Sequence, residues 1–241
     1  MKIQSKFNQK GVTLIELLVV MVIAAITMAG IYRVFISQTQ TYAKQDQVME
    51  VQQSVRGAME ILLRDLRMTG FDDDRTDFST YPDKTTNPKI VTVTAGIVTP
   101  VHDSDITIIY EYFDRTVNPG QQLHTVRYWR DAATSELKRQ VTVDNGAPRA
   151  EIILENVSAL TFTYGIDRNN DGIMDDQNGN GQIDANDWFS AAQVVALLNP
   201  KVVAINVSLT GRADPINTDV SKVVSPRTLV SAVTLRNLSL R

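Results

Sequence analysis

Six aspartates crowd residues 167–187, DRNNDGIMDDQNGNGQIDAND, against one basic residue, Arg168. The stretch is a nine-residue tandem repeat, with DRNNDGIMD at 167–175 aligned on DQNGNGQID at 176–184. Each copy has Asp first, Asn third, Asp or Asn fifth, Gly sixth and Asp ninth. Carboxylates and amides at alternate positions on a curled backbone are the chemistry of a hard cation, and calcium takes about six to eight such oxygens. Gly172 and Gly181 permit the turn. The second copy runs on to Asp187, so Asp176, Asn178, Asn180, the carbonyl of Gln182, Asp184 and Asp187 fall at positions 1, 3, 5, 7, 9 and 12 of a calcium-type loop. The first copy offers Asp167, Asn169, Asp171, the carbonyl of Ile173 and Asp175, but its position 12 is Asn178, which the second copy already uses. One full site, or two that share ligands, is therefore expected in place of two independent ones. The alternative is a solvated acidic loop, in which these carboxylates repel one another without a cation.

Other reactive groups are sparse. There is no cysteine, which excludes disulfides, thiolate metal sites and cysteine nucleophiles. His102 and His124 are the only histidines, and neither has a second ligand at helical metal spacing. Ser135-Glu136-Leu137-Lys138 matches the bare Ser-x-x-Lys pattern of some acyl enzymes, but that chemistry wants a helix start, and this stretch reads as a hairpin turn entering a strand. No Gly-x-Ser-x-Gly and no phosphate-binding glycine loop is present. No catalytic set is expected, and the folded part carries no basic stripe of the kind nucleic acid selects.

The remaining chemical group of note is an acid in an apolar run. Residues 12–36, VTLIELLVVMVIAAITMAGIYRVFI, contain only Glu16 and Arg33 as charges. As a helix they extend roughly 37 Å, at about 1.5 Å per residue. That spans a hydrocarbon layer of about 30 Å. Lys2, Lys6 and Lys10 precede the run with no acidic side chain among them. They favour the cytoplasmic side and send the C-terminal bulk across the membrane. The net charge is −3, and with those three lysines set aside the rest carries −6. An ordinary secretory signal would place small residues after a short apolar run; here Gly11 stands before it. A plain anchor explains the length but not Glu16, because a carboxylate inside a span costs about 2.5–3.5 kcal/mol and asks for a partner.

Lys10-Gly11-Val12-Thr13-Leu14-Ile15-Glu16-Leu17 resembles the type IV prepilin signature. The resemblance implies cleavage between Gly11 and Val12 by a prepilin peptidase and N-methylation of Val12, although the family usually has Phe there. It also makes Glu16 the fifth mature residue, the position the family holds as glutamate for subunit assembly. The physics agrees: cleavage creates a cationic α-amine, and that amine and a neighbour's Glu16 offset each other in an apolar bundle. Such pairing fixes register more surely than it adds stability.

The elements that must carry these groups follow. Ser37–Met68 has one Gly and no Pro, and Val48, Val51, Val55, Ala58, Leu62 and Leu66 recur at three- and four-residue spacing. This is one apolar stripe on an otherwise solvated helix, stopped at Gly70. Leu63-Arg64-Asp65-Leu66-Arg67-Met68-Thr69-Gly70-Phe71 and the closing Leu235-Arg236-Asn237-Leu238 resemble the PilW-like minor pilins. The J-class pseudopilins of type II secretion share the implied architecture. Residues 72–88 read as an exposed loop, and beyond them the apolar period becomes two. Strands are expected at Ile90–Val98, Asp105–Phe113, Leu123–Arg130, Leu137–Val143, Glu151–Leu154, Val157–Tyr164, Val202–Gly211 and Thr228–Leu238, the third and fourth as a hairpin. Trp188–Leu198 is placed to supply a helix after the acidic loop.

The whole is an α+β chain of type IV pilin fold: a leader at 1–11, a long helix at 12–70 with its membrane half at 12–36, and a β-rich head at 71–241. The implied life history is insertion in the inner membrane with the head in the periplasm, processing, then incorporation into a surface pilus with other major and minor pilins. Calcium would staple the head's long loop, where no disulfide exists to do so. Asp at position 12 resembles dockerin-type variants of the EF-hand loop. The alternatives are a filament-tip adhesin that contacts its ligand through the acidic loop, and a type II secretion pseudopilin.

Overall fold

The computed structural model describes residues 11–71, 103–113, 121–144, 146–197, 201–213 and 224–235. The expected loop at 72–88, the strand at Ile90–Val98, His102 and the closing Leu-Arg-Asn-Leu beyond Leu235 lie outside these residues. The chain forms two compact units, Met1–Asp46 and Gln47–Arg241.

Helix α1, Leu14–Met68, begins in the first unit. No residue from 11 to 42 is buried even partly. Its most apolar window has a mean hydropathy of 2.6, and by length and composition it is long and apolar enough to cross a membrane. Inside the apolar run the Thr27 hydroxyl is satisfied locally, since it donates to the Ile23 carbonyl at 2.9 Å. Such back-bonding lets a threonine sit in an apolar helix without an orphaned donor.

In the second unit α1 buries one stripe: Val51, Val55, Ala58, Met59, Leu62, Leu63 and Leu66. The expected apolar positions are all on it, with Val48 packed at its margin. Asp65 lies on the same stripe and is buried, so the buried stripe is not wholly apolar. The helix ends where expected, with Gly70 at φ 73° and its N–H donating to the Ile109 carbonyl at 3.0 Å. A left-handed residue here costs glycine nothing.

The strands are β1 (Asp105–Phe113), β2 (Gln121–Asp131), β3 (Glu136–Val143), β4 (Arg149–Leu154), β5 (Val157–Asp167), β6 (Lys201–Gly211) and β7 (Arg227–Thr234). They form a four-stranded sheet in the order β1-β2-β3-β4 and a three-stranded sheet in the order β5-β6-β7. Every pairing is antiparallel. Alternation sets the faces: Ile106, Ile108, Val126, Tyr128 and Leu137 are fully buried, and so are Phe162, Tyr164, Ile205, Val207 and Leu209 of the other sheet. These side chains and the helix stripe make one core. The two sheets meet where Phe162 donates its N–H to the Asp103 carbonyl at 2.7 Å.

The β2–β3 hairpin forms as expected, with Arg130 opposite Leu137 and Ser135 at φ 58° in its turn. Lys138 pairs with Asp131 at 2.7 Å and Glu136 at 3.1 Å, so the Ser-x-x-Lys match is a hairpin closed by ion pairs. Two expectations need correction. The strand before the acidic loop runs on to Asp167, three residues past Tyr164. The helix after the loop is only α2, Ala191–Val195, because Phe189 is drawn into an antiparallel bridge with Tyr164 and Ser190 caps the helix behind it.

Candidate functional site

At the N-terminal end, Gly11, Val12 and Thr13 precede the helix and are exposed. The Thr13 N–H and hydroxyl both donate to Glu16 Oε2 at 3.4 Å, and the Glu16 N–H donates to Thr13 Oγ1 at 3.4 Å. Thr-Leu-Ile-Glu is therefore a capping box, in which Ser or Thr and an acid three residues on satisfy each other's backbone donors. The sequence held this signal, and the reading of Glu16 as an assembly group alone missed it. The cap holds Glu16 at the helix start, where the macrodipole favours a negative charge. Val12, with 74% of its surface exposed, stands next to that cap.

The acidic loop is built on β5. It leaves at Asp167 and returns where the Tyr164 and Phe189 backbones exchange hydrogen bonds of 2.8 and 2.9 Å. Asp103 holds the start of α2 through the Ala191 N–H, at 2.9 Å. Within this frame each repeat curls around its first aspartate. Asp167 accepts from the N–H groups of Asn170 at 2.7 Å and Gly172 at 3.0 Å. Asp176 accepts from Gly179 at 2.7 Å and from Gly181. Position 3 accepts from position 5 in each copy: Asn169 from Asp171 at 2.9 Å, and Asn178 from Asn180 at 3.0 Å. Position 5 accepts from position 7, Asp171 from Ile173 and Asn180 from Gln182, both at 2.8 Å. Gly172 and Gly181 have φ of 84° and 82°, as the sequence required. A second left-handed residue at position 4, Asn170 at 62° and Gly179 at 72°, is a turn that the sequence reading did not identify.

The copies then diverge. In the second, Asp187 is fully buried. Its carboxylate accepts from Gln177 N–H at 2.8 Å and Asp184 N–H at 2.6 Å. The side chains of positions 3, 5 and 9 converge: the amides of Asn178 and Asn180 lie 3.3 and 2.9 Å from the Asp184 carboxylate. In the first, position 9 does the closing, since Asp175 accepts from Arg168 N–H at 2.6 Å. Asn178, its position 12, faces Asp184 of the other copy. Asp167 is bridged by Lys201 at 3.1 Å, its partner across the β5–β6 ladder.

Among the described residues no three His, Asp or Glu side chains gather closely enough to hold a metal by themselves. A cation in the second copy would need its amide oxygens as well as its carboxylates, which is the donor mixture calcium accepts. In the structure the amide nitrogens of Asn178 and Asn180 face Asp184, while their oxygens accept from the Asn180 and Gln182 N–H groups. Hydrogen bonds hold Asp184 below the usual carboxylate range, foremost from the Asn186 N–H and the Asn180 amide.

His124, the described histidine, lies in β2 and stacks on Tyr110, ring centroids 5.3 Å apart. It is a half-buried strand residue. The buried polar cluster nearby was not anticipated. Asp65 Oδ2 accepts from the Tyr128 hydroxyl at 2.7 Å and from Arg139 Nε at 2.8 Å, and Arg139 also pairs with Glu151 at 2.7 Å. Burial and the Asp65 charge raise the Tyr128 phenol well above its ordinary value, so it stays a hydrogen-bond donor.

Two family models match the chain. Residues 6–32 match the prokaryotic N-terminal methylation motif, and residues 126–237 match the type IV pilus-assembly protein W family. Comparison with curated proteins finds no match. The first match covers the capped helix start with Glu16, and the second runs from β2 through the acidic loop and past β7. With an apolar helix and antiparallel sheets arranged as in the type IV pilin fold, these two matches support a PilW-like minor pilin of type IV pilus assembly.

Proposed function

We propose that this minor pilin is cut after Gly11 by a prepilin peptidase and methylated on Val12. It then enters a complex of pilins through the pairing of its new α-amine with Glu16 of a neighbour. The observation that carries the reading is Glu16 itself, capped at the start of a helix whose apolar window is 0% buried. A carboxylate there is costly in a hydrocarbon environment unless a cation meets it. Processing supplies that cation one residue before the cap. The head lies on the periplasmic side and reaches the surface with the filament. N-terminal sequencing of the natural protein tests this: the chain should begin at Val12, and any other start removes the pairing.

The second part of the proposal is that one calcium ion closes the loop at 176–187. The ion would take oxygens from Asp176, Asn178, Asn180, Gln182, Asp184 and Asp187, and would stabilise the head without chemistry of its own. A tip-adhesin reading is favoured by one observation: the loop exposes 68% of Ile173 and 50% of Ile183, apolar groups suited to contact. Normal pilus numbers with lost attachment in an Ile173→Ser, Ile183→Ser strain would support it, and unaltered attachment would remove it.

A further inference from the structure

Each sheet ends in two edge strands, and three of those edges are occupied or guarded. Other segments use the edge of β5: Phe189 bridges Tyr164, the Phe162 N–H meets the Asp103 carbonyl, and the Val157 N–H meets the Ser135 carbonyl. The edge of β1 takes the end of α1, through the Gly70 N–H on the Ile109 carbonyl. The edge of β4 carries Arg149 and Glu151, and its ladder to β3 slips register between Leu137 and Lys138. Charges and bulges are the usual protection of an open edge. Past its first residue β7 has neither. Its ladder to β6 runs from Arg227 to Thr234 without a shift, and Thr228–Thr234 holds no charged residue and no proline.

The direction of the free backbone groups follows from one bond. The Leu235 N–H donates to the Val203 carbonyl at 2.7 Å, in step with the β6–β7 register. Main-chain groups alternate along an antiparallel pair. Leu229, Ser231 and Val233 therefore turn theirs to β6, and Thr228, Val230, Ala232 and Thr234 turn theirs away from it. Among the described residues, none of these outward groups meets the backbone of another segment. The same four residues are exposed, Val230 by 57%.

We infer that the outer edge of β7 pairs with β7 of a second copy of this chain. The strand is its own complement. Antiparallel pairing about a twofold axis at Ser231 sets Thr228 opposite Thr234, Val230 opposite Ala232 and Leu229 opposite Val233. The outward N–H and C=O groups of one copy then meet those of the other. Threonine pairs and branched apolar pairs are favourable across such a joint. The one charge, Arg227, falls at opposite ends in the two copies, roughly 27 Å apart at about 3.4 Å per residue. That exceeds the screening length of about 8–10 Å, so no like charges oppose the contact. The joined sheet ends at the occupied edge of β5 on both sides, which closes the assembly at two copies. This contact is separate from the pairing of Glu16 with an α-amine and does not depend on it.

The chain has no cysteine, so a single introduced thiol reports the register. The full chain in detergent, oxidised with copper phenanthroline in air, is the sample. Ser231→Cys should form a disulfide-linked dimer, because residue 231 lies opposite itself in a non-hydrogen-bonded pair, where side chains are closest. Thr234→Cys should stay uncrosslinked, because it lies opposite residue 228. In sedimentation equilibrium the unaltered chain should be a dimer. Val230→Lys, which sets two ammonium groups diagonally across the joint, should be a monomer with an unchanged melting temperature. A monomeric unaltered chain, a dimer that persists in folded Val230→Lys, or equal crosslinking of the two cysteine variants overturns the inference. If Val230→Lys does not fold, the two cysteine variants still decide it.

Discussion

The guanidinium of Arg139 on β3 closes on the carboxylate of Asp65 on α1, Nε to Oδ2, at 2.8 Å. Asp65 is 4% exposed, and the same oxygen takes the Tyr128 hydroxyl. Helix and sheet are thus joined by a charge pair inside the core as well as by apolar packing. Breaking one partner of a buried pair leaves the other charge stranded, at a cost of about 3–5 kcal/mol. Asp65→Ala and Arg139→Ala should each lose that much in urea denaturation. Tyr128→Phe should lose only about 1 kcal/mol, the net worth of one hydrogen bond. If Asp65→Ala unfolds at the urea concentration of the unaltered protein, the pair does not hold the helix in place.

The same helix packs against β6 at Gly211. A Cβ there would lie 2.5 Å from Val55 Cγ2 and 3.6 Å from Val51 Cγ1. The neighbours are branched side chains on a buried stripe and cannot swing away. Gly211→Ala should destabilise by about 1–3 kcal/mol, the usual cost of overpacking. Adding Val55→Ala should return part of that loss, so that the double variant is more stable than the two single losses sum to. Strict additivity would show that the helix can shift away from the strand.

Much of this architecture was legible in the sequence, because it depends on period. The spacing of Val51, Val55, Ala58, Leu62 and Leu66 gave the helix stripe, and alternation gave seven described strands to within a few residues. The Asp65 cluster was not legible. In Leu-Arg-Asp-Leu-Arg an aspartate reads as solvated, and its partner Arg139 lies 74 residues away. In the loop, spacing gave the candidate ligands and the two glycine turns. It could not show that Asp175 and Asp187 perform the same closing task in different copies, or that Lys201 returns across the ladder to Asp167. The second is a consequence of where β6 begins, which the loop's own residues do not encode.

His124 gives the head a pH dependence of defined sign. Burial lowers its pKa first of all, with Arg139 acting the same way, while Asp144 and Asp65 oppose. A histidine whose folded value is depressed binds its proton more readily unfolded. Its contribution is therefore present above the unfolded value of about 6.5 and is lost as pH falls through the lower folded value. Stability measured from pH 7 to pH 5 should fall less steeply in His124→Gln than in the unaltered chain. Parallel curves for the two proteins would show that the imidazole is not desolvated.

Thr13 and Glu16 separate capping from assembly. Thr13→Val removes the capping hydroxyl and should cost the helix start about 1 kcal/mol, yet it keeps the charge on Glu16. Glu16→Gln can keep the cap bond but has no charge to meet an α-amine. Incorporation into filaments, measured by pull-down of sheared pili, should survive Thr13→Val and be lost in Glu16→Gln. The opposite result would assign the residue to helix capping alone.

Removal of calcium is the broadest test of the loop. Binding to the folded chain alone stabilises it by about 2.7 kcal/mol when the free ion is at a hundred times its dissociation constant. For a chain of this size about 1 kcal/mol moves the melting temperature by roughly 2–4 °C. Chelation should therefore lower the melting temperature of the full chain in detergent by roughly 5–10 °C at that calcium concentration. Asp184→Ala should melt at one temperature with or without chelator, because its loop lacks the carboxylate on which Asn178 and Asn180 converge. A chelator shift that persists in Asp184→Ala would place the ion elsewhere in the chain, and the absence of any shift in the unaltered protein would leave the second repeat as a hydrogen-bonded turn without metal.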